Sequence, residues 1–221
     1  MRERTVAETV ARYYAGRTRN WLSTRRHRRS DVRLSGVSRT GRAVVLRRPQ
    51  FGDASEWRRL RIRDQEFIEP YWVSSDLTWS DRHTEAVWIR ECLRGRAEAV
   101  AGNALPLVIE VDGEFAGQCN LEWIDHHNST GELGIWLDST LAKSGVAFTA
   151  INLLVGYAFD ELGLKRVSAP ISAKNNAARA VAAHLGCTLE GTMHDFMDVG
   201  GHRSDHELWA ITSDRFTRKH T

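Results

Sequence analysis

What this chain lacks narrows it first. Nowhere in its 221 residues does an apolar run approach the roughly 20 needed to cross a bilayer as a helix. The polar N-terminus has no hydrophobic segment of the kind a secretion signal needs. Cysteine is scarce: Cys92, Cys119 and Cys187 are odd in number, widely spaced and form no CxxC pair. That usage fits reduced, buried thiols in a cytoplasmic protein and excludes a disulfide scaffold. There is no GxSxG elbow for a serine hydrolase. The small-residue turn at Ala142–Ala147 lacks the Lys-Ser/Thr pair that an NTP-binding P-loop carries after its glycine. Asp125-His126-His127 has the look of a phosphoesterase metal motif without the aspartates on preceding strands that such a site needs. His202 and His206 share the i, i+4 spacing of helical zinc pairs but fall in an expected hairpin. No metal is expected.

Lysine is absent from the first 48 residues, yet that stretch carries 14 Arg against 3 acids, a surplus of 11 positive charges. The remainder has 17 basic and 25 acidic residues, a net of −8 beneath an overall +3. A basic arm on an acidic body is therefore expected, with residues 1–40 as an Arg-rich extension and 41–221 as the folded domain. Val6, Val10, Tyr13 and Tyr14 give Thr5–Leu22 a helical period. Arg25-Arg26-His27-Arg28-Arg29 then forms a dense cluster, and residues 30–41 are rich in turn formers. Such an arm suits RNA or a ribosomal surface; a solvated extension or a dimer contact are the alternatives. A hydrophobic content of 42% and eight Trp fit a globular core.

Along the body, Ala43–Arg47 reads as a strand. Asp53 is positioned to cap a helix through Trp57, Leu60 and Ile62, and a second helix starts at Ser80 or Asp81 with Ala86, Val87, Ile89, Cys92 and Leu93 for its buried side. Residues 98–105 read as a loop. Pro106–Val111 and Phe115–Trp123 flank Asp112-Gly113, a strong hairpin signal. Glu132–Leu137 is a third strand. After it, the small-residue turn feeds a helix over Gly145–Leu162 with Ala147, Ile151, Leu154 and Ala158 on one stripe. Unpaired N–H groups at such a helix start favour an anion, typically a phosphate. Lys165–Ile171 is a strand, Asn175–Leu185 a helix closed by Gly186, and Glu190–Val199 and Asp205–Ile211 a hairpin around Gly200-Gly201. The order implies an α+β domain around a mixed sheet flanked by helices.

Several of these segments resemble the GNAT family of acetyl-CoA-dependent N-acetyltransferases, over about residues 43–212. Phe67-Ile68-Glu69-Pro70-Tyr71-Trp72 is similar to a segment of RimJ-type ribosomal-protein-alanine N-acetyltransferases. Glu132-Leu133-Gly134-Ile135-Trp136-Leu137 resembles the strand before the family's CoA loop. Asn175 with Gly186 resembles its Asn-led helix, and Asp205–Trp209 its closing strand. The resemblance implies the GNAT fold, acetyl-CoA as co-substrate and transfer of acetyl to a primary amine, with a protein N-terminus as the leading acceptor. A polyamine or aminoglycoside, or a GNAT-fold module without catalysis, are the alternatives. The acidic body suits a cationic acceptor. No membrane association is implied, and monomer and homodimer stay open.

By the same resemblance, Ile135, Trp136 and Leu137 would offer backbone to the pantetheine, and Lys143, Ser144, Gly145, Val146, Ala147 and Phe148 would hold the pyrophosphate. Asn175 and Ala178 would border the cofactor, and Phe67, Tyr71, Trp72 and Trp123 the acceptor, with core packing the alternative for these aromatics. Two positions depart from the family: Ala142 stands where Arg or Gln is usual, and Ala178 replaces a serine, which leaves the proton donor to the thiolate unassigned. A base is sought among carboxylates on the central strands. Glu132 comes first, since alternation puts it on one face with Gly134 and Trp136, and Glu122 on the adjacent strand second.

Overall fold

The computed structural model describes residues 32–217; the helix and arginine cluster expected before residue 31 lie outside that range. Eight strands form one sheet in the order β1-β2-β3-β4-β5-β6-β8-β7. They are β1 (Arg33–Val37), β2 (Ala43–Arg47), β3 (Val108–Val111), β4 (Glu114–Asp125), β5 (Thr130–Leu137), β6 (Arg166–Ser172), β7 (Thr188–Val199) and β8 (His202–Thr212). Every neighbouring pair is antiparallel except β5 with β6. This is the mixed sheet that the order of elements implied.

The sheet starts earlier than the expected boundary at residue 41. Arg33–Val37, read as part of a turn-rich extension, is an edge strand paired from Arg33–Arg47 to Val37–Ala43. Its polar, glycine-containing sequence hides it, because an edge strand half open to solvent needs little apolar alternation.

Helices cover both faces. On one lie α1 (Ala54–Arg63), the single turns α2 (Gln65–Ile68) and α3 (Trp79–Arg82), and α4 (Glu85–Ala101). Trp57, Leu60, Trp88, Val108, Phe115 and Trp136 form the core beneath α1 and α4. On the other lie α5 (Val146–Asp160) and α6 (Asn176–Leu185); there Leu154 and Val155 of α5 share a core with Val44, Leu46, Ile109 and Leu121 of the sheet. Between β3 and β4, Asp112 and Gly113 both take positive φ, 51° and 91°, the geometry of the tight hairpin turn their sequence predicted.

Four local expectations are corrected. The Asp53 carboxylate does not cap α1: it accepts from both terminal nitrogens of Arg47 at 2.7 and 3.0 Å and from the Gln50 N–H at 2.8 Å. The helix expected from residue 80 is two, because Thr84 accepts the Val87 N–H and restarts the chain after His83. The second of these runs on through residues 98–101, read as loop, until Gly102 ends it in the left-handed region. Its buried stripe is Trp88 and Cys92, while Ile89 and Leu93 face solvent. Apolar content marked the helix without fixing which stripe the sheet would select.

Candidate functional site

The site is built around β5. Its first residues pair with β6 as Thr130–Arg166, Gly131–Val167 and Glu132–Ser168, and there the ladder stops. β6 continues along β8 to Ser172, and β5 along β4 to Leu137. The two neighbours part, and among the described residues the edge of residues 133–137 turned towards β6 has no strand partner. Pro170, which has no N–H to donate, lies in β6 two residues past the last pair. Open strand edges are templates for an extended ligand. Ile135, Trp136 and Leu137 all lie on this stretch.

Past Leu137 the chain makes a 3₁₀ turn, Ser139–Leu141, and enters the small-residue loop. The turn is fastened to the end of α1: Asp64 accepts from the Ser139 N–H at 2.9 Å and its hydroxyl at 2.8 Å. Burial pushes the Asp64 carboxyl up, but the Arg63 guanidinium and the two Ser139 donors outweigh it and hold it below the usual carboxylate range. Lys143 and Gly145 both have positive φ, 61° and 86°. At Gly145 a Cβ would stand 2.7 Å from Arg39 Cγ, so both conformation and close approach call for glycine. Ser144 spends its hydroxyl locally, donating to Leu141 O at 2.6 Å and accepting from the Val146 N–H at 3.3 Å. Val146, Ala147 and Phe148 form the first turn of α5, and Thr149 N–H to Gly145 O at 3.0 Å is the first bond of its ladder. A helix start entered through such a turn fits an anion.

The β1–β2 hairpin braces this loop from the side. Arg39 donates through its guanidinium to Lys143 O, and Thr40 donates to Ser144 O at 3.0 Å. Both residues were missed because they fell in the segment read as extension. Arg39 brings a cation to the loop in which Ala142 lacks one. On the far side, Asn175 Oδ1 accepts the Ala178 N–H at 3.1 Å and caps α6. The structure thus joins these two residues in one cap.

Two carboxylates face each other on the opposite surface of the sheet. Glu122 and Glu132 are register partners across β4 and β5, in the same columns as Gln118–Trp136 and Asn120–Gly134. A Cβ built on Gly134 meets nothing within 4 Å, so there is open space between Glu132 and Trp136. Burial, then the negative charge of Glu122, lifts the Glu132 carboxyl above its ordinary value. A third carboxyl, Glu91 of α4, is raised by burial, with Arg61 and Arg94 opposing and Glu122 adding to the rise. Glu91 sat unnoticed between charged residues of a long helix; only packing turns it inward.

Arg61 of α1 is 1% exposed. Its guanidinium carbon lies 3.7 Å from the ring centre of Trp72 and 4.1 Å from that of Trp136. Nε and Nη1 are buried without a hydrogen-bond partner, and burial lowers its pKa to about 9. Trp136 is held in turn by donating to Gln118 Oε1 at 2.8 Å, an acceptor it shares with Trp57 at 3.2 Å. Trp72, expected at the acceptor, thus has one face taken by Arg61. Core packing fails for the others: Phe67 is 57% exposed and Trp123 77%, and Tyr71 reaches Lys174 O at 3.5 Å, beside the start of α6. Trp123 also has a φ of +51° at the irregularity in β4 between Glu122 and Asp125. That conformation presents an indole to solvent next to a candidate base.

The family model described as "Acetyltransferase (GNAT) domain" matches residues 43–188. The chain is 31% identical over 169 residues to the Bacillus subtilis protein named "Putative ribosomal N-acetyltransferase YdaF", covering 76% of this chain and 90% of the relative. It is 32% identical over 98 residues to the spermidine N(1)-acetyltransferase of Escherichia coli, covering 44% of this chain and 53% of that one. Among solved structures, Mycobacterium smegmatis RimJ in complex with CoA-disulfide aligns with a TM-score of 0.79 at 34% identity, over 83% of this chain and 87% of that one.

Proposed function

The chain belongs to the GNAT acetyltransferases, and from that premise we propose that it moves the acetyl group of acetyl-CoA to the α-amine of a protein N-terminus, one of ribosomal type. The observation that carries the proposal is the parting of β5 from β6 beyond Glu132–Ser168, with the Glu122–Glu132 pair beside the open space over Gly134. The strand edge at 133–137 would receive the pantetheine, and its N–H groups would polarise the thioester carbonyl. The turn at Lys143–Phe148, with Arg39 at its side, would take the pyrophosphate. Glu132 would accept the ammonium proton, directly or through water. The free amine would then attack the carbonyl carbon; an amide C–N bond would form as the C–S bond breaks, and the proton shed by the nitrogen would pass, directly or through water, to the departing CoA thiolate. Phe67, Tyr71 and Trp123 would line the approach of the acceptor.

The relative named as a putative ribosomal N-acetyltransferase supports a protein acceptor. The basic residues ahead of β1 would assist by contact with ribosome or RNA in the cytoplasm. A polyamine is the second reading, favoured by the carboxylate pair and by the relative named for spermidine. Incubation with acetyl-CoA and a panel of N-terminal peptides, their blocked forms, spermidine and an aminoglycoside, followed by free-thiol release, separates these. Release is expected with free N-terminal peptides and not with blocked ones. Release with spermidine alone would make the acceptor a polyamine. No release with any acceptor, together with no thermal shift by acetyl-CoA, would sink the enzymatic reading.

A further inference from the structure

At the far end of the β1–β2 hairpin from the acetyl-CoA turn, a cavity of about 300 Å³ is lined by Arg33, Arg47, Arg48, Pro49, Gln50 and Arg96. Arg33 and Arg47 are register partners at the opposite end of the ladder from Val37 and Ala43. The cavity is thus separated from the turn by the length of β1, about 13 Å along the strand. It opens on the face of α4, which contributes Arg96, whereas α5 lies on the other face.

Four guanidinium groups around one cavity are not all neutralised within the molecule. Arg47 is, by Asp53 at 2.7 Å and Glu110 at 2.7 Å, and Arg33 stands 3.5 Å from Glu110. Among the described residues, neither Arg48 nor Arg96 has a carboxylate partner. Arg48 Nε is buried without any hydrogen-bond partner, a donor removed from water with nothing to bond. Two acids therefore face four arginines, and the surplus rests on Arg48 and Arg96. Arg96 also lies over the ring of Phe51 at 4.2 Å, and Phe51 is 41% exposed. In sequence, the 31 residues that precede Val32 carry 9 Arg against 3 acids.

We infer that this cavity is a phosphate-binding site for the backbone of single-stranded RNA, distinct from the acetyl-CoA turn. Guanidinium forks match phosphate oxygens in pairs. Arg48 and Arg96 supply the uncompensated charge, the stranded Nε–H of Arg48 gains an acceptor, and Phe51 offers a face on which a base stacks. An acidic peptide would satisfy the charge but brings no base to the part of the Phe51 ring that Arg96 leaves exposed, which favours RNA over a protein ligand. The reading does not depend on which amine the enzyme acetylates.

The test is titration of the full chain with a labelled oligonucleotide of RNA at several salt concentrations. An acidic peptide, inorganic phosphate and ADP are run as separate probes. Removing both uncompensated charges in an Arg48→Gln/Arg96→Gln variant should weaken RNA binding roughly tenfold at low salt and make the log–log salt slope shallower by about 1.4. Acetyl-CoA affinity should be unchanged. Arg96→Glu, on the exposed face of α4, gives the same test where the double variant folds poorly, and Phe51→Ala should weaken RNA binding at constant slope. RNA affinity and slope that survive both charge variants would overturn the assignment, as would an acidic peptide binding as tightly as RNA. Inorganic phosphate or ADP binding as tightly as RNA, and lost in the Arg48→Gln/Arg96→Gln variant, would assign the cavity to a free phosphate and overturn the RNA reading.

Discussion

Glu122 and Glu132 stand opposite each other on adjacent strands, where a negative charge on Glu122 disfavours ionisation of Glu132. Glu132 carries the rise, through burial and then through Glu122. A base must be ionised to work, so activity should fall as pH drops through that raised value, which produces the acid limb of the kcat/KM profile. Glu122→Gln removes the like charge and lets the Glu132 carboxyl fall towards its ordinary range. The acid limb should then move to lower pH while turnover near pH 8 is kept. Glu132→Gln should lower kcat by about 100-fold or more with acetyl-CoA binding intact. If Glu122→Gln abolishes turnover and Glu132→Gln does not, the roles are reversed. Strand alternation made the face of Glu132 legible in the sequence, because a period of two assigns a face without knowledge of the fold; that Glu122 stands directly opposite it is a matter of register, which only the sheet supplies. Arg39, Arg61 and Glu91 were not legible. Each acquires its surroundings from a segment distant in sequence, as Arg39 does from Lys143 and Arg61 from Trp136.

Among the elements, the segment after α1 matters most, because it carries Phe67, Tyr71 and Trp72 over the sheet. It is pinned at one end by Asp64 to Ser139 and in the middle by Trp72 on Arg61 on Trp136. Farther on, Val73 bridges to Val199. Each cation–π contact is worth on the order of 1–2 kcal/mol when desolvated, against a buried charge with two unsatisfied donors. Replacing a buried charge by an apolar chain of similar volume is often close to neutral, whereas truncation leaves a hole. Arg61→Met should therefore stay within about 1 kcal/mol of the parent in urea unfolding, and Arg61→Ala should lose about 3 kcal/mol. The Ala variant should also raise KM for the peptide acceptor more than for acetyl-CoA, since the stack holds the aromatic segment. Equal losses in both variants would show that the charge, rather than the filled space, fastens the segment. Sequence pattern located the end of β5 at Leu137, both helix caps of α6 and the Asp112-Gly113 hairpin. It missed β1, whose pairing with β2 is a property of the sheet.

For the whole molecule, pH acts on stability through a group that catalysis does not use. His83 ends the turn of α3, with its ring 4.0 Å from that of Trp79 and 5.3 Å from that of Trp57. Its Nδ1 is 2.7 Å from Trp79 O. Burial lowers its pKa to about 4; the Trp79 carbonyl opposes that, and Arg61, Arg82 and Arg58 reinforce it. In the unfolded chain an ordinary histidine titrates near 6.5. Above that pH the ring is neutral in both states and its contribution is fully present. As pH falls from about 6.5 to about 4 the unfolded chain takes up a proton that the folded chain refuses. Stability then drops, by roughly 3 kcal/mol in total, and the loss levels off below the folded value. Glu91 and Glu132, raised in the fold, act in the opposite sense, because the folded state takes up their protons first as pH falls. A variant that removes only the histidine proton isolates the first effect. His83→Gln keeps a donor for Trp79 O but cannot titrate. Its unfolding free energy, measured in urea from pH 7.5 to 4.5, should fall less steeply than that of the parent, the two curves diverging below about pH 6.5 by up to 1.4 kcal/mol per pH unit. Parallel curves would mean that His83 is protonated in the folded protein over the same range as in the unfolded chain.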